Sequence, residues 1–211
     1  MALVHYEAHQ VDLKIIYCGP PGAGKSSCLD ALHRSLDPPP DAPIVNLRTG
    51  ADCTLLLEFR LPDLTLLEGF ATRCQIFTVP GKVMFNVPHQ LVLRDADAVV
   101  FIADSHWDAV AGNLQSLAQL EANLKCHRTN LDSIPLVLQY NKRDLPDIAP
   151  LNYLEFLLNR RATRTPSFES SVTNGEAIFE PLNAALHLAV RQFREGKRNR
   201  LLTAGLGIGF E

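Results

Sequence analysis

Runs of apolar, often β-branched residues alternate along the chain with stretches in which leucines recur every three or four positions. The runs LKIIYC (13–18), TLLLEF (54–59), RCQIFTV (73–79), AVVFIA (98–103) and PLVLQY (135–140) are bounded by turn residues and predict strands, with a weaker one in SFESSV (167–172). Four of them are nearly continuous in apolar residues, as expected of strands buried on both faces of a parallel sheet. Helical spacing appears in Leu29, Leu32 and Leu36 over 25–36, in Val110, Leu114, Leu117, Leu120 and Leu124 over 109–126, and in Ile178, Leu182, Leu186 and Val190 over 176–193. Strand and helix alternate, so the fold class is α/β with helices layered on a sheet. Runs 54–59 and 73–79 are joined by RLPDLTLLEGFA without a helical pattern, which predicts an antiparallel hairpin. The Pro-, Asp- and Gly-rich stretch 37–53 reads as loop. Segment 194–211 has no clean period, so residues 1–193 form the expected domain and 194–211 an expected disordered tail, first basic and then Gly-rich.

Composition narrows the class rather than the function. The chain has 211 residues, 46% of them hydrophobic and 20% charged, as in an ordinary soluble domain with a sizeable core. A net charge of −3 gives no electrostatic footprint for nucleic acid. Five cysteines without a CxxC pair argue against a disulfide framework and for a reducing compartment. No secretory leader, membrane-spanning run, myristoylation glycine or prenylation box is visible, so the expected location is the cytoplasm. The basic run Arg191, Arg194, Lys197, Arg198 and Arg200, followed by LLTAGLGIGF, suggests at most a weak membrane-surface or partner contact of the tail; a frayed helix end is the plainer reading.

The first chemical signal is GPPGAGKS, Gly19 to Ser26, which follows a predicted strand and opens a predicted helix. Glycines let backbone N–H groups turn inward around phosphate oxygens, and the helix N-terminus adds its positive end. Gly19, Gly22, Ala23, Gly24, Lys25, Ser26 and Ser27 form the expected phosphate cradle. Lys25 would reach the β- and γ-phosphates and the Ser26 hydroxyl would ligate Mg²⁺. Pro20 and Pro21 lack amide donors, but both precede the inward-turning segment.

The second signal is NKRD, Asn141 to Asp144, at the end of the strand PLVLQY. The Asp144 carboxylate would accept hydrogen bonds from guanine N1–H and the 2-amino group, donors that adenine lacks. Asn141 would tie the base-binding loop to the phosphate loop, and the Lys142 stem would cover the purine face. In ESSVT (169–173) the Ser171–Val172 backbone would contact guanine O6, a weak signal by itself.

With these motifs in this order the chain resembles a Ras-like small GTPase, and more closely the bacterial MglA group of polarity and motility GTPases. The residues that carry the closer match are TVPGK (78–82), FNVPHQLVLRDADAVVFIADS (85–105) and QYNKRDLPD (139–147), within a likeness that spans roughly 11–193. The resemblance implies a P-loop GTPase fold: a mostly parallel six-stranded sheet with helices on both faces and one extra, movable antiparallel strand. It implies GTP/GDP and Mg²⁺, an extended loop around Leu61 to Phe70, switch I at about 42–58 and switch II at about 78–93. Thr54 stands where the family has its switch threonine, a magnesium ligand, and Gly81 joins the phosphate-binding set. Thr78, where Ras-like proteins have aspartate, is the MglA group's usual residue. The resemblance also implies a Roadblock-type activating protein and polarity effectors as partners.

Two positions depart from the family. Cys53 stands where MglA proteins carry an intrinsic arginine finger, and Lys82 where they carry a catalytic glutamine. A thiol cannot present a guanidinium's fork of donors to a developing charge. A protonated lysine donates but does not accept, so it cannot orient an attacking water as glutamine does. It can hold GTP more tightly, but ground-state binding does not lower the barrier. Two classes stay open: a switch enzyme whose missing group is supplied in trans, and a GTP-binding module with very slow or absent hydrolysis. Cys53 and Lys82 favour the second for the isolated protein. Asp104 reads as an N-cap, with a magnesium-water role as the alternative, and Trp107 as a packing residue.

Overall fold

The structure is a computed structural model that describes residues 2–36, 43–49, 52–79, 92–127, 129–161 and 164–205. In chain order the elements are β1 (Leu3–His5), β2 (Gln10–Cys18), α1 (Lys25–Ser35), β3 (Val45–Thr49), β4 (Asp52–Arg60), β5 (Ala71–Thr78), β6 (Ala98–Asp104), α2 (Val110–Cys126), β7 (Leu136–Asn141), α3 (Leu151–Leu158), β8 (Ser167–Glu169) and α4 (Phe179–Gly205). One eight-stranded sheet runs in the order β3-β4-β5-β2-β6-β7-β8, with β1 beside the start of β2.

Strands β5, β2, β6, β7 and β8 are mutually parallel. β4 is antiparallel to β5, as the hairpin reading expects, and β1 adds a second antiparallel strand. β2 carries alternate side chains into two cores. Val11, Leu13, Ile15 and Tyr17 meet Leu29 and Leu32 of α1 and Leu182, Leu186 and Val190 of α4. Ile16 and Cys18 meet Leu120 and Leu124 of α2 and Leu154 and Leu158 of α3. Burial on both faces is why the central strands read as unbroken apolar runs. Truncating fully buried Leu29 or Leu32 to alanine removes core contacts that typically cost about 2–5 kcal/mol.

Two expectations are corrected, 37–53 as loop and 194–211 as tail, and one helix has no predicted counterpart. The stretch 37–53 is not all loop: β3 lies within it and β4 begins there. Val45, Leu47 and Thr49 alternate with polar partners, a period-2 signal overshadowed by the prolines and glycines around it. α3 lacks a predicted counterpart because LNYLEFLL is short and apolar nearly throughout; Leu154 and Leu158, four apart, form its buried stripe. The weak strand expected within 167–172 is β8, which ends at Glu169; Ser170 N–H still donates to the Tyr140 carbonyl of β7 at 2.8 Å, and Ser171 N–H turns to the Glu176 carbonyl. Finally, α4 does not end near 193 but continues to Gly205, through much of the segment read as tail. Arg, Lys, Leu and Ala are strong helix formers and carry it past the apolar stripe. Residues 206–211 lie outside the described residues. The end of the sheet that carries Cys18, Asp104 and Asn141 fixes the site's location, because β2, β6 and β7 all end on the same side, where open α/β sheets form their ligand crevices.

Candidate nucleotide site

Three chain segments meet beyond the C-terminal ends of β2, β7 and β8. The loop from Cys18 to α1 turns tightly through Gly24, which has φ of 100° and precedes the helix. A Cβ at Gly24 would collide with Asn141 Nδ2, and one at Gly19 with the Ile102 carbonyl. Only glycine fits either place. Cys28 N–H donates to the Gly24 carbonyl at 2.8 Å and starts the helical ladder.

Lys25 is buried, and its Nζ donates to the carbonyls of Gly19 at 2.9 Å and Pro20 at 2.7 Å. An ammonium has three donors, so one remains for an incoming anion. Burial pushes the Lys25 ammonium below the ordinary lysine range, and a phosphate beside it would favour the charged form again. Burial likewise pushes the Cys18 and Cys28 thiols below the loop up to about 12, so neither supplies a thiolate at neutral pH. Ser26 and Ser27 are exposed at the first turn of α1.

Asn141, buried at the end of β7, is the hub. Its Nδ2 donates to the Ala23 carbonyl at 2.8 Å, and its Oδ1 accepts from Ser170 Oγ at 3.3 Å and from Val172 N–H at 3.4 Å. One side chain therefore touches all three segments. The Ser171 N–H is already given to the Glu176 carbonyl at 3.2 Å, which leaves the weakly held Val172 N–H as the donor available to a base. Asp144 is exposed, and Lys142 reaches across to Asp104, whose Oδ2 accepts from its Nζ at 2.6 Å.

These segments enclose a cleft of about 490 Å³. Gly22, Gly24 and Ser27 of the first segment line it together with Asn141, Lys142, Asp144 and Leu145 of the second and Val172 and Thr173 of the third. Asp30 and Arg34 also line it and were missed by the motif reading. Their spacing from Ser27, three and then four along α1, places all three on one helix face and was the available signal. The glycines of the cradle and the exposed Asp144 carboxylate share a cleft that suits a nucleotide, whereas Lys25 and Ser26 are not among its described lining residues.

The remaining expected residues fall elsewhere. Thr54 is buried in the β3–β4 ladder opposite Leu47 and is not among the described residues that line the cleft. Thr78, also buried, accepts a hydrogen bond at its Oγ1 from the Leu55 N–H at 2.9 Å and so ties the end of β5 to β4. Cys53 pairs with Arg48 in the backbone register; its side chain, together with Gly81, Lys82 and most of the expected switch II, lies outside the described residues. Asp104 is not the cap of the turn at Trp107–Ala109: His106 Nδ1 takes that role by accepting from Asp108 N–H. Trp107 packs its ring 5.3 Å from that of Tyr153 and is 47% exposed.

No protein-family model matches the chain. The chain is similar to the mutual gliding-motility protein MglA of Myxococcus xanthus (strain DK1622), 32% identical over 196 residues that cover 93% of this chain and 100% of that relative. No helix among the described residues is long and apolar enough to cross a membrane. Near-complete coverage at that identity, together with the mixed, mostly parallel sheet and its P-loop, shows that the chain belongs to the MglA-type small GTPases, with their Ras-like fold.

Proposed function

We propose that this protein is a guanine-nucleotide switch of the cytoplasm that acts in cell polarity or motility by binding partners in its GTP form, and that hydrolyses GTP very slowly by itself. The observation that carries the reading is the convergence of the P-loop, the NKRD loop and the Ser170–Val172 turn on one cleft, joined through Asn141. Backbone amides of Gly22 to Ser27 and the Lys25 ammonium would hold the phosphates. Asp144 would accept from the guanine N–H groups while Val172 N–H donates to O6. Ser26 and Thr54 would ligate a Mg²⁺ ion whose charge offsets that of the β- and γ-phosphates. A role in motility is supported by the name of the Myxococcus relative. Slow hydrolysis is supported by Cys53 and Lys82 at the family's arginine-finger and glutamine positions. A Roadblock-type activating protein and polarity effectors are the partners the family suggests.

The test is to identify the nucleotide that copurifies, compare GTP with ATP binding, and follow single-turnover hydrolysis. Preference for GTP with very slow turnover is expected. Comparable affinity for ATP and GTP would overturn the guanine reading, and rapid hydrolysis by the isolated chain would overturn the slow-switch reading.

A further inference from the structure

We infer that Asp104 is a positioning residue for the base-binding end of the cleft: its carboxylate anchors the Lys142 ammonium, so that the lysine stem is set as a wall of the cleft before any ligand arrives. The inference rests on the nucleotide reading above and adds a residue that reading leaves out.

Asp104 ends β6 and lies level with Asn141, the last residue of β7. The next residue, Lys142, has φ of 66°, a conformation that residues other than glycine seldom adopt. The chain turns there, and Lys142 Nζ meets Asp104 Oδ2 at 2.6 Å. The carboxylate side chain is only 11% exposed and the lysine side chain 32%, so the pair is largely shielded. Asp104 is itself held on every side. Its Oδ1 accepts from His106 N–H at 3.1 Å. Its backbone N–H donates to Asn113 Oδ1 at 3.0 Å, and its carbonyl accepts from Asn113 Nδ2 at 2.8 Å. Asn113 is fully buried in the first turn of α2. The anchor is therefore rigid, built from β6 and α2 together.

Lys142 lines the cleft, whereas Asp104 is not among the described lining residues. Asp104 thus acts through the lysine. A free lysine has many rotamers, and a ligand that packs on its stem must order it. With the ammonium already fixed, that cost is met in folding and the methylenes offer a flat apolar surface next to Asp144. The pair also commits the Lys142 charge to a carboxylate, so that Lys25 is left as the phosphate-facing ammonium.

The experiment uses the full chain and a fluorescent GDP (mant-GDP) released against excess GDP in magnesium buffer. Asp104→Asn keeps the size of the side chain and an acceptor for His106 N–H but removes the charge that holds Lys142. Lys142→Met keeps an unbranched stem without the ammonium. Each single variant is expected to release the ligand about tenfold faster, the scale of one lost charge-assisted contact. The double variant is expected to be no faster than either single, because residues that act as one unit do not add. In the nucleotide-free protein, Asp104→Asn is also expected to speed hydrogen exchange of the Arg143 and Leu145 amides, which lie in the loop that Lys142 begins. Additive effects, or a lowered unfolding midpoint with unchanged release, overturn the inference. If Asp104→Asn does not fold, Lys142→Met carries the test, and release at the wild-type rate overturns it. Failure of the wild type to prefer mant-GDP over mant-ADP is a different result and overturns the guanine reading instead.

Discussion

Asn141 Nδ2 donates a 2.8 Å hydrogen bond to the Ala23 carbonyl, so one buried amide joins the loop after β7 to the turn before α1. Asn141→Ala would leave that buried carbonyl without its partner and loosen the Ser170–Val172 turn as well. Such orphaning typically costs about 1–3 kcal/mol. Denaturant unfolding of the nucleotide-free protein is expected to show a loss of that order, with weaker guanine-nucleotide binding. Gly24→Ala should give the same phenotype from the other side, since its Cβ would strike the Asn141 amide. Unchanged stability and affinity in both variants would mean that the two loops are positioned independently.

Base choice should rest on Asp144, the exposed carboxylate on the cleft wall. Asp144→Ala removes the acceptor pair for guanine without touching the phosphate cradle. A site built to hydrogen-bond a substrate group can reject its analogue by about 10⁴-fold or more, so the preference for GDP over ADP should fall by at least ~10²-fold. Competition between the two nucleotides for the variant measures it directly. Retained preference would move base recognition to another residue.

The sheet and this cleft were legible in the sequence to different depths. β2, β6 and β7 could be read because burial on both faces demands unbroken apolar runs, and the P-loop because only glycine satisfies its backbone. β3 was hidden by its neighbours: Val45 and Leu47 are each 41% exposed on an edge strand, where packing imposes little on the sequence. The length of α4 could not be read from an apolar stripe that ends well before the helix does. The proposed role of Asp104 depends on a residue brought close by the fold, Lys142, and no local spacing announces it.

Acid stability should report a second ion pair, far along β2 from the cleft. Asp12 accepts from Arg73 through both oxygens, at 3.1 and 2.9 Å, and from Gln10 at 2.6 Å. Burial alone would raise the Asp12 carboxyl, but these partners offset it and hold the group below its ordinary value of 3.8. A carboxylate with a depressed folded-state pKa contributes stability at neutral pH that is lost as pH falls through that lowered value. Arg73→Met is therefore expected to destabilise the fold at neutral pH by about 2 kcal/mol, in the range of hydrogen bonds to charged groups. The gap between variant and wild type should narrow as pH falls through the lowered Asp12 value, where a protonated Asp12 no longer needs the guanidinium. Urea unfolding across that range measures it, and a gap that stays constant with pH would assign the effect to packing rather than charge.

Slow hydrolysis, the part of the proposed function that rests on two residues, can be tested at those residues. Position 53, beside Arg48 in the β3–β4 register, carries a cysteine where an arginine finger is expected, and position 82 carries a lysine where a glutamine is expected. Removing one donor aimed at transition-state charge typically costs ~2.7–4 kcal/mol. Losing two groups of one site need not cost twice that, since such groups act as a unit. The informative variant therefore restores both together: Cys53→Arg with Lys82→Gln. Its single-turnover GTP hydrolysis is expected to exceed that of the wild type by at least ~10²-fold, the lower end of one donor's effect. Alignment of the restored side chains can itself require a partner, so each protein is measured alone and with a Roadblock-type activator. Acceleration in either condition, against a slow wild type, assigns the slow turnover to these two residues. A wild type that already turns over as fast as the restored variant in both conditions would make this chain a switch enzyme that draws on other groups, and the slow-hydrolysis reading would fall.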